Sequence, residues 1–571
     1  MKKLVPFLCL LFILSSGFAH PLPPDSEIPE WMTQYRADYG ALNRLYNIWG
    51  TEEYTQRMTG LVDQYLAKLE ELDYDALSLD AKIDYQLFRR QLREAALNLQ
   101  QDALELEEAK SLFPFGEEIY QLVSEQRRGA QPQPKAVAAR VNDLNKAISA
   151  SIKSVQKGDT LDAKVARPAA RHIDDMREAL EKYYQFYDDY DPLFSWWMKQ
   201  PYSETDELLK QYESLLKKKN RVESNQRRDQ SGIVGNPIGD AEIRRRLIYE
   251  MIPYSPEELI QIAEMEFAWC DREMLKASRE LGYGEEWHDA LEHVKETYVE
   301  PGKQPEVIKR LYDESVAFIK ENNLITVPEL CEETWRMNMM SEERQRVNPF
   351  FTGGEVISIS YPTSEMTHEE KMMSMRGNNP HFSRATVHHE LIPGHGLQMF
   401  MNQRYKPYRR TWNGFWGEGW ALYWERLLWD QGFPESPEDR IGMLFWRMHR
   451  CARIIFSLKY HMGEWTPQEC IDFLVERVGH ERANAEGEVR RSFTGGYDPL
   501  YQLAYMIGGL QFESLKEALV DSGKMSFREF HDRILKENQM PVELVRAILM
   551  EDAPEKDFVT KWRFYDLKKR P

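Results

Sequence analysis

Cysteine is scarce in this chain, five in 571 residues, and no two stand as C-x-x-C, so no cysteine zinc site is suggested. Cys9 lies in an N-terminal apolar run and lacks a lipoprotein-like small-residue context. For Cys270, Cys331, Cys451 and Cys470 an oxidising compartment permits disulfides; a Cys451–Cys470 bridge and buried free thiols are both compatible with their spacing. Long hydrophobic runs are also missing. Leu4 to Leu14 is too short to span a bilayer and no second such run follows, which excludes a membrane span. Ser231-Gly232-Ile233-Val234-Gly235-Asn236-Pro237-Ile238-Gly239 has glycines too loosely spaced for a phosphate loop and reads as a mobile surface loop. Finally, there is no excess of positive charge. The formal net charge is −19, which argues against nucleic acid or an anionic membrane surface as a partner.

Lys2 and Lys3, the apolar run and Gly17-Phe18-Ala19 read as a secretory signal cut after Ala19. The product is expected to be exported, periplasmic or extracellular. A chain of this length buries a large core and is ordinarily split into lobes. We expect a signal peptide over 1–19, an N-terminal helical lobe over 20–240 and a metal-binding catalytic lobe over 241–571, integrated with the first.

From Pro29 to about Lys219 the apolar residues recur with helical period, as in Val62, Tyr65, Leu66 and Leu69, then Phe88, Leu92, Ala95 and Leu99. Antiparallel helices follow. Tyr183 to Tyr187 and Trp196-Trp197 read as helix packing, and Lys217 to Arg221 with Arg227-Arg228 as a solvated helix end. Ser255-Pro256-Glu257-Glu258 opens a further helix as a capping box with proline at the first position. Gly354 to Pro362 breaks the helical habit with Val356, Ile357 and Ile359, a short strand. It either offers an edge to an extended peptide or is purely structural.

The chemistry is concentrated in His389-Glu390-Leu391-Ile392-Pro393-Gly394-His395 and Gly417-Glu418-Gly419-Trp420-Ala421-Leu422-Tyr423-Trp424-Glu425. Eight of the 13 histidines fall between His368 and His480, which favours a functional centre there, although His368, His381 and His480 read as ordinary core or surface residues. Two imidazoles and a carboxylate suit a catalytic zinc with an open position, and the Glu beside the first His can take a proton from water. On a regular helix, positions six apart differ by about 600°, roughly 120° off a common face. Pro393 removes an N–H and Gly394 tolerates unusual backbone angles, so the helix should be interrupted there, swinging His395 back toward His389. His388 sits two turns from His395 and reads as a packing or supporting residue, as does Glu425 relative to Glu418.

The pattern H-E-x-x-P-G-H followed by E-G-W-A-x-Y-x-E resembles the bacterial domain-of-unknown-function 885 family, grouped with the gluzincin metallopeptidases. The resemblance is sharp between about Tyr361 and Gly509. It implies a mainly α, multi-helical, two-lobed gluzincin-like fold with a deep cleft and a small β element beside the metal helix. Members often carry a second His after Pro-Gly-His; Gly396 stands there here. Similarity to thimet-oligopeptidase-like, angiotensin-converting-enzyme-like and bacterial carboxypeptidase families implies Glu418, 23 residues past His395, as third ligand beside His389 and His395.

Amide hydrolysis also needs a donor for the developing oxyanion. His461 and Tyr505 are the candidates, and Tyr501 is a rival to Tyr505. The family's Leu-His-x-x-Gly-Trp-like run is Tyr460-His461-Met462-Gly463-Glu464-Trp465 here, and its Gly-Gln after Pro is Leu500-Tyr501 after Pro499. Arg376, Arg490 and Arg491 either grip a substrate carboxylate or tie helices together. Of the Trp-rich surroundings, Trp412, Trp416, Trp420, Trp424 and Trp429, most read as core and one or two as cleft wall. The expectation is Zn²⁺-dependent hydrolysis of short peptides, carboxypeptidase- or oligopeptidase-like, with Glu390 as base. The alternatives are a catalytically silent peptide- or metal-binding protein and a hydrolase of some other amide or ester.

Overall fold

The computed structural model describes residues 26–46, 51–221, 229–348 and 350–568. The expected signal peptide, with Cys9, and the pair Arg227-Arg228 lie outside these residues. The fold is mainly α, as expected. Helices Ile28–Leu45, Glu52–Glu70, Leu79–Ala109, Gly116–Arg127, Pro134–Lys157, Ala163–Tyr187 and Pro192–Lys219 occupy the first part of the chain. Their starts follow local chemistry: the Thr51 and Ser78 side chains accept from the third backbone N–H beyond, satisfying a donor that the first turn leaves unpaired. Ser255 and Glu258 form the full capping box, with Pro256 in the first turn.

The aromatic stretch divides. Tyr183 and Tyr187 are buried, but Trp196 is 80% exposed and Trp197 40%, so the reading of the tryptophan pair as packing is corrected. They sit in the first turn or so of the Pro192–Lys219 helix, where Phe194 and Met198 take the inward face.

Three apolar clusters make the core. Buried residues between Ala109 and Leu216 form one by themselves. Those between Ile28 and Leu99 instead share a cluster with Leu311, Ile357, Leu391, Trp420 and Leu544, and the third joins Ile243, Leu259, Phe382, Leu444 and Leu503. The first helices thus share a core with the later part of the chain. Ser231 to Gly239 is irregular, but Ile233 is buried and the Gly239 N–H donates to the His461 carbonyl at 2.9 Å; the stretch is anchored, not a free loop. Cys270, Cys331, Cys451 and Cys470 are all buried free thiols, so Cys451 and Cys470 are not bridged.

The expected strand is present as Val356–Ile359, paired in parallel with Arg336–Met339 from Arg336↔Val356 to Met339↔Ile359. On its other side Ser358 and Thr352 exchange backbone hydrogen bonds of 2.7 and 3.1 Å. That exchange occupies the flank that an extended peptide would need. Nothing among the described helices is long and apolar enough to cross a membrane.

Two helices set the site. Gly414–Asp430 is buried almost all round, with Trp416, Trp420 and Trp424 fully inside, as a central helix must be. It lies against Tyr501–Lys516 at a glycine crossing, where a Cβ on Gly419 would come within 2.5 Å of the Gly508 Cα. Only hydrogen fits between the two backbones, and the close approach puts Tyr501 within reach of Glu418.

Candidate metal centre

The Pro380–Glu390 helix starts on an Asn379 cap and ends where Leu391 leaves helical space at φ −109°, ψ −108°. The Ile392–Pro393 peptide is cis, and a new helix, His395–Asn402, begins after Gly394 at φ −76°, ψ −131°. The interruption expected at Pro393-Gly394 is present and already begins at Leu391. Gly394 is required by contact: a Cβ there would lie 1.8 Å from the His389 carbonyl oxygen. The Gly394 N–H donates to the His388 carbonyl at 3.0 Å, and the Trp420 indole N–H donates to the Pro393 carbonyl at 2.9 Å. Both bonds satisfy backbone groups near or within the break.

The result is convergence. One ligand atom from each of His389, His395 and Glu418 lies within 4.8 Å of the others, and all three residues are buried. His395 Nε2 is 3.1 Å and His389 Nε2 3.6 Å from the same Glu418 oxygen, Oε2. Among the described residues no other trio of His, Cys, Asp or Glu gathers in this way.

Each donor is held from behind. His389 Nδ1 lies 2.7 Å from Glu425 Oε1, which also accepts from Arg450 Nη2 at 3.2 Å. His395 Nδ1 lies 3.3 Å from Gln398 Oε1, and the Gln398 amide donates to the Trp416 and Gly417 carbonyls at 3.3 Å each. Tyr501 donates to the other Glu418 oxygen, and Tyr505 donates to the Tyr501 hydroxyl at 3.0 Å. Such supports fix ring orientation and raise ligand basicity. Two imidazole nitrogens and one carboxylate oxygen, so braced, can hold a metal ion.

The electrostatics agree with a cation position. Burial pushes the Glu418 carboxyl up, but His395 and His389 outweigh it and hold it well below the usual carboxylate range. Burial lowers His395, the Glu418 carboxylate raises it more, and the balance is about 9. Both shifts mark a position between the donors that favours positive charge, which a metal ion would supply there.

These groups open on a cavity of about 180 Å³ that Glu390 also lines. Burial raises the Glu390 carboxyl, opposed by His389 and His395. The Gly354 N–H donates to the Glu390 carbonyl at 3.0 Å, which sets the small β element against the end of the ligand helix.

Tyr501, Tyr505 and Arg491 line this cavity, and so does Trp412, which is 56% exposed. His461 does not. Its ring lies against Tyr460 and Phe493, burial lowers it to about 4, and it stands at the end of the Pro437–His461 helix, two turns or more past the cavity-facing Arg450 and Arg453. The oxyanion role expected for His461 has no geometric basis. Arg376 is also elsewhere, ion-paired with Glu292, Glu296 and Glu481, which is the helix-tying alternative. Arg490 is exposed and points away from the cavity that its neighbour lines. His388 is fully buried against Phe433, His381 pairs with Asp439 at 2.7 Å, and His480 with His449 at 2.8 Å.

The cavity also holds Arg450, Arg453, Trp446 and Tyr497, together with Phe350, Phe351, Thr352 and Gly353, none of which stood out in the sequence. Arg450 and Arg453 had a weak signal, shared with Arg447 and His449: they interrupt a mainly apolar stretch from Ile441 to Leu458 that is buried over nearly all its length. Buried arginines need partners, and their three-residue spacing puts them on one face.

No curated protein matches the chain. Two solved structures share the fold: a candidate lipoprotein of unknown function from Shewanella oneidensis, 16% identical over 92% of this chain and 100% of that one with a TM-score of 0.68, and a candidate lipoprotein from Colwellia psychrerythraea, 14% identical over 92% and 98% with a TM-score of 0.58. At such identities the likeness is one of fold. The family model described as bacterial protein of unknown function (DUF885) matches residues 29–549, and on that match the chain belongs to the DUF885 family.

Proposed function

We propose that this protein is an exported zinc-dependent hydrolase of peptide bonds in short peptides, carboxypeptidase- or oligopeptidase-like. The observation that carries the reading is the meeting of His389, His395 and Glu418 at the wall of a cavity that Glu390 shares. Two nitrogens and one oxygen are the donor set of catalytic zinc sites, whereas a structural zinc is closed by four protein ligands. When bound, the ion supplies Lewis acidity to the reacting oxygen atoms. Glu390 accepts the proton of the attacking water and passes it to the leaving amine. The hydroxyls of Tyr501 and Tyr505, which in this structure donate to Glu418 and to Tyr501, turn to donate to the oxygen that becomes negative. Both stay protonated at neutral pH, because burial lifts Tyr505 to about 12 and Tyr501 well above the phenol range. Export rests on the N-terminal signal pattern, and the description of two fold relatives as candidate lipoproteins agrees with it.

The test is incubation of zinc-loaded protein with a mixed library of short peptides, products being read by mass spectrometry. Cleavage that stops on chelation and returns with zinc is the expected result. Bound but uncut peptides would indicate the silent binding protein instead, and cleavage of non-peptide amides or esters alone would move the protein to another hydrolase class.

A further inference from the structure

Beside the ligand triad the cavity wall carries three guanidinium groups, those of Arg450, Arg453 and Arg491. Two carboxylates answer them. Glu425 accepts from Arg450 at 3.2 Å while also engaged with His389. Glu488, fully buried, accepts from Arg453 Nε at 2.7 Å and lies 2.7 Å from Arg491 Nε. Arg453 is only 2% exposed, and Nε is its one nitrogen with a hydrogen bond among the described residues. Its Nη1 is buried without a partner, as is Arg450 Nε. Three cations sharing two anions leave donors unspent in a place where leaving them unspent is costly. A planar fork of this kind matches a carboxylate.

The spacing connects these groups to the reaction. The Arg453 and Arg450 guanidinium carbons lie 4.4 and 4.7 Å from the centre of the Tyr505 ring. That ring is stacked on His389 at 6.0 Å, so Arg453 cannot be farther than roughly 10.4 Å from the ligand imidazole. An extended chain advances about 3.3–3.6 Å per residue, so a bond held at the triad brings a group one or two residues farther along within reach of Arg453.

We infer that Arg453, with Arg450 and Arg491, reads a carboxylate of the substrate one or two residues to the leaving-group side of the scissile bond. The inference rests on the peptide-hydrolysis reading above and names its substrate class: peptides bearing an anion there, either the free C-terminus or an acidic side chain.

The test compares four versions of one cleaved peptide: the free acid, its C-terminal amide, and amides with Glu or Gln next after the scissile bond. Wild-type protein should favour the acid over its amide by about 10- to 100-fold in kcat/KM, the range of a charge-assisted hydrogen bond. If the side chain is the source, the Glu amide should exceed the Gln amide by that factor. Arg453→Gln and Arg491→Gln should bring the favoured ratio toward one, mainly through KM. Arg490→Gln, on the exposed face, should retain it. Arg453→Gln leaves Glu488 short of a partner, so its circular dichroism and Tm are measured alongside, and the partly exposed Arg491 decides the outcome should that variant not fold. Equal wild-type rates on all four peptides would overturn the carboxylate reader and leave peptide hydrolysis standing. A preference untouched in Arg491→Gln and in any folded Arg453→Gln would overturn the assignment to these arginines. No cleavage of any version would remove the underlying reading and this inference with it.

Discussion

The Trp420 indole N–H donates to the Pro393 carbonyl oxygen at 2.9 Å, so the helix that carries Glu418 is tied directly to the break that separates His389 from His395. The two halves of the motif, distant along the chain, are one device: the first makes a bend and the second clamps it. Trp420→Phe keeps an aromatic ring but leaves the Pro393 carbonyl without its donor, a loss of about 1–3 kcal/mol in stability for a buried unpaired group. Metal affinity should fall as well, although no ligand is changed. Denaturant unfolding and metal titration of the variant check both; unchanged affinity would confine Trp420 to packing.

Glu390→Gln and Glu418→Ala should separate base from ligand. The first preserves shape and should bind metal normally while losing turnover by about 10²-fold or more, of the order expected for removal of a general base. The second removes one of three protein ligands and should leave the protein without metal after dialysis. Elemental analysis beside a peptide assay distinguishes them. Full metal retention by Glu418→Ala would contradict the ligand set.

Among the described residues, Glu425 reaches the ligand triad through His389 Nδ1, at 2.7 Å. Glu425→Gln keeps the side chain's shape and removes its charge, so metal affinity should drop by roughly 10- to 100-fold, as for other outer carboxylates. Competition with a fluorescent chelator gives the number. An unaltered constant would mean that Arg450, the other partner of Glu425, is the reason for its placement.

Acid should destabilise the fold partly through Glu266. Burial alone would raise its carboxyl; Arg426 and Arg447, bonded to it at 2.7 and 2.9 Å, outweigh burial and hold it at about 2. Since the folded value is below the ordinary 4.5, the unfolded chain binds more protons, and stability present above about 4.5 is lost as pH falls toward about 2. The contribution is on the order of 3 kcal/mol. Glu266→Gln should be less stable at pH 7 and should lose less on going from pH 5 to 3. Parallel urea curves with the same pH slope as wild type would show that this carboxylate does not titrate in that window.

Periodicity and caps were enough for the helices, because a 3.6-residue apolar repeat and a Ser or Thr followed by a first turn are local facts, as at Val62 to Leu69 and at Ser255. Residue chemistry was enough to bring His389, His395 and Glu390 forward as candidates, since they stand within seven positions with a proline and a glycine between them that no continuous helix accommodates, whereas Glu418 was implied only by the family resemblance. The sequence could not say what would close the bend, since Trp420 and Pro393 meet only when two helices pack. Nor could it choose among arginines. Arg376, Arg490 and Arg491 were equivalent by residue type, and only the packing sends the first into an ion-pair cluster, the second to solvent and the third to the cavity. Arg450 and Arg453 became visible the same way, because a side chain's partners are decided by which faces of which helices meet, and one strand of sequence does not contain the other face.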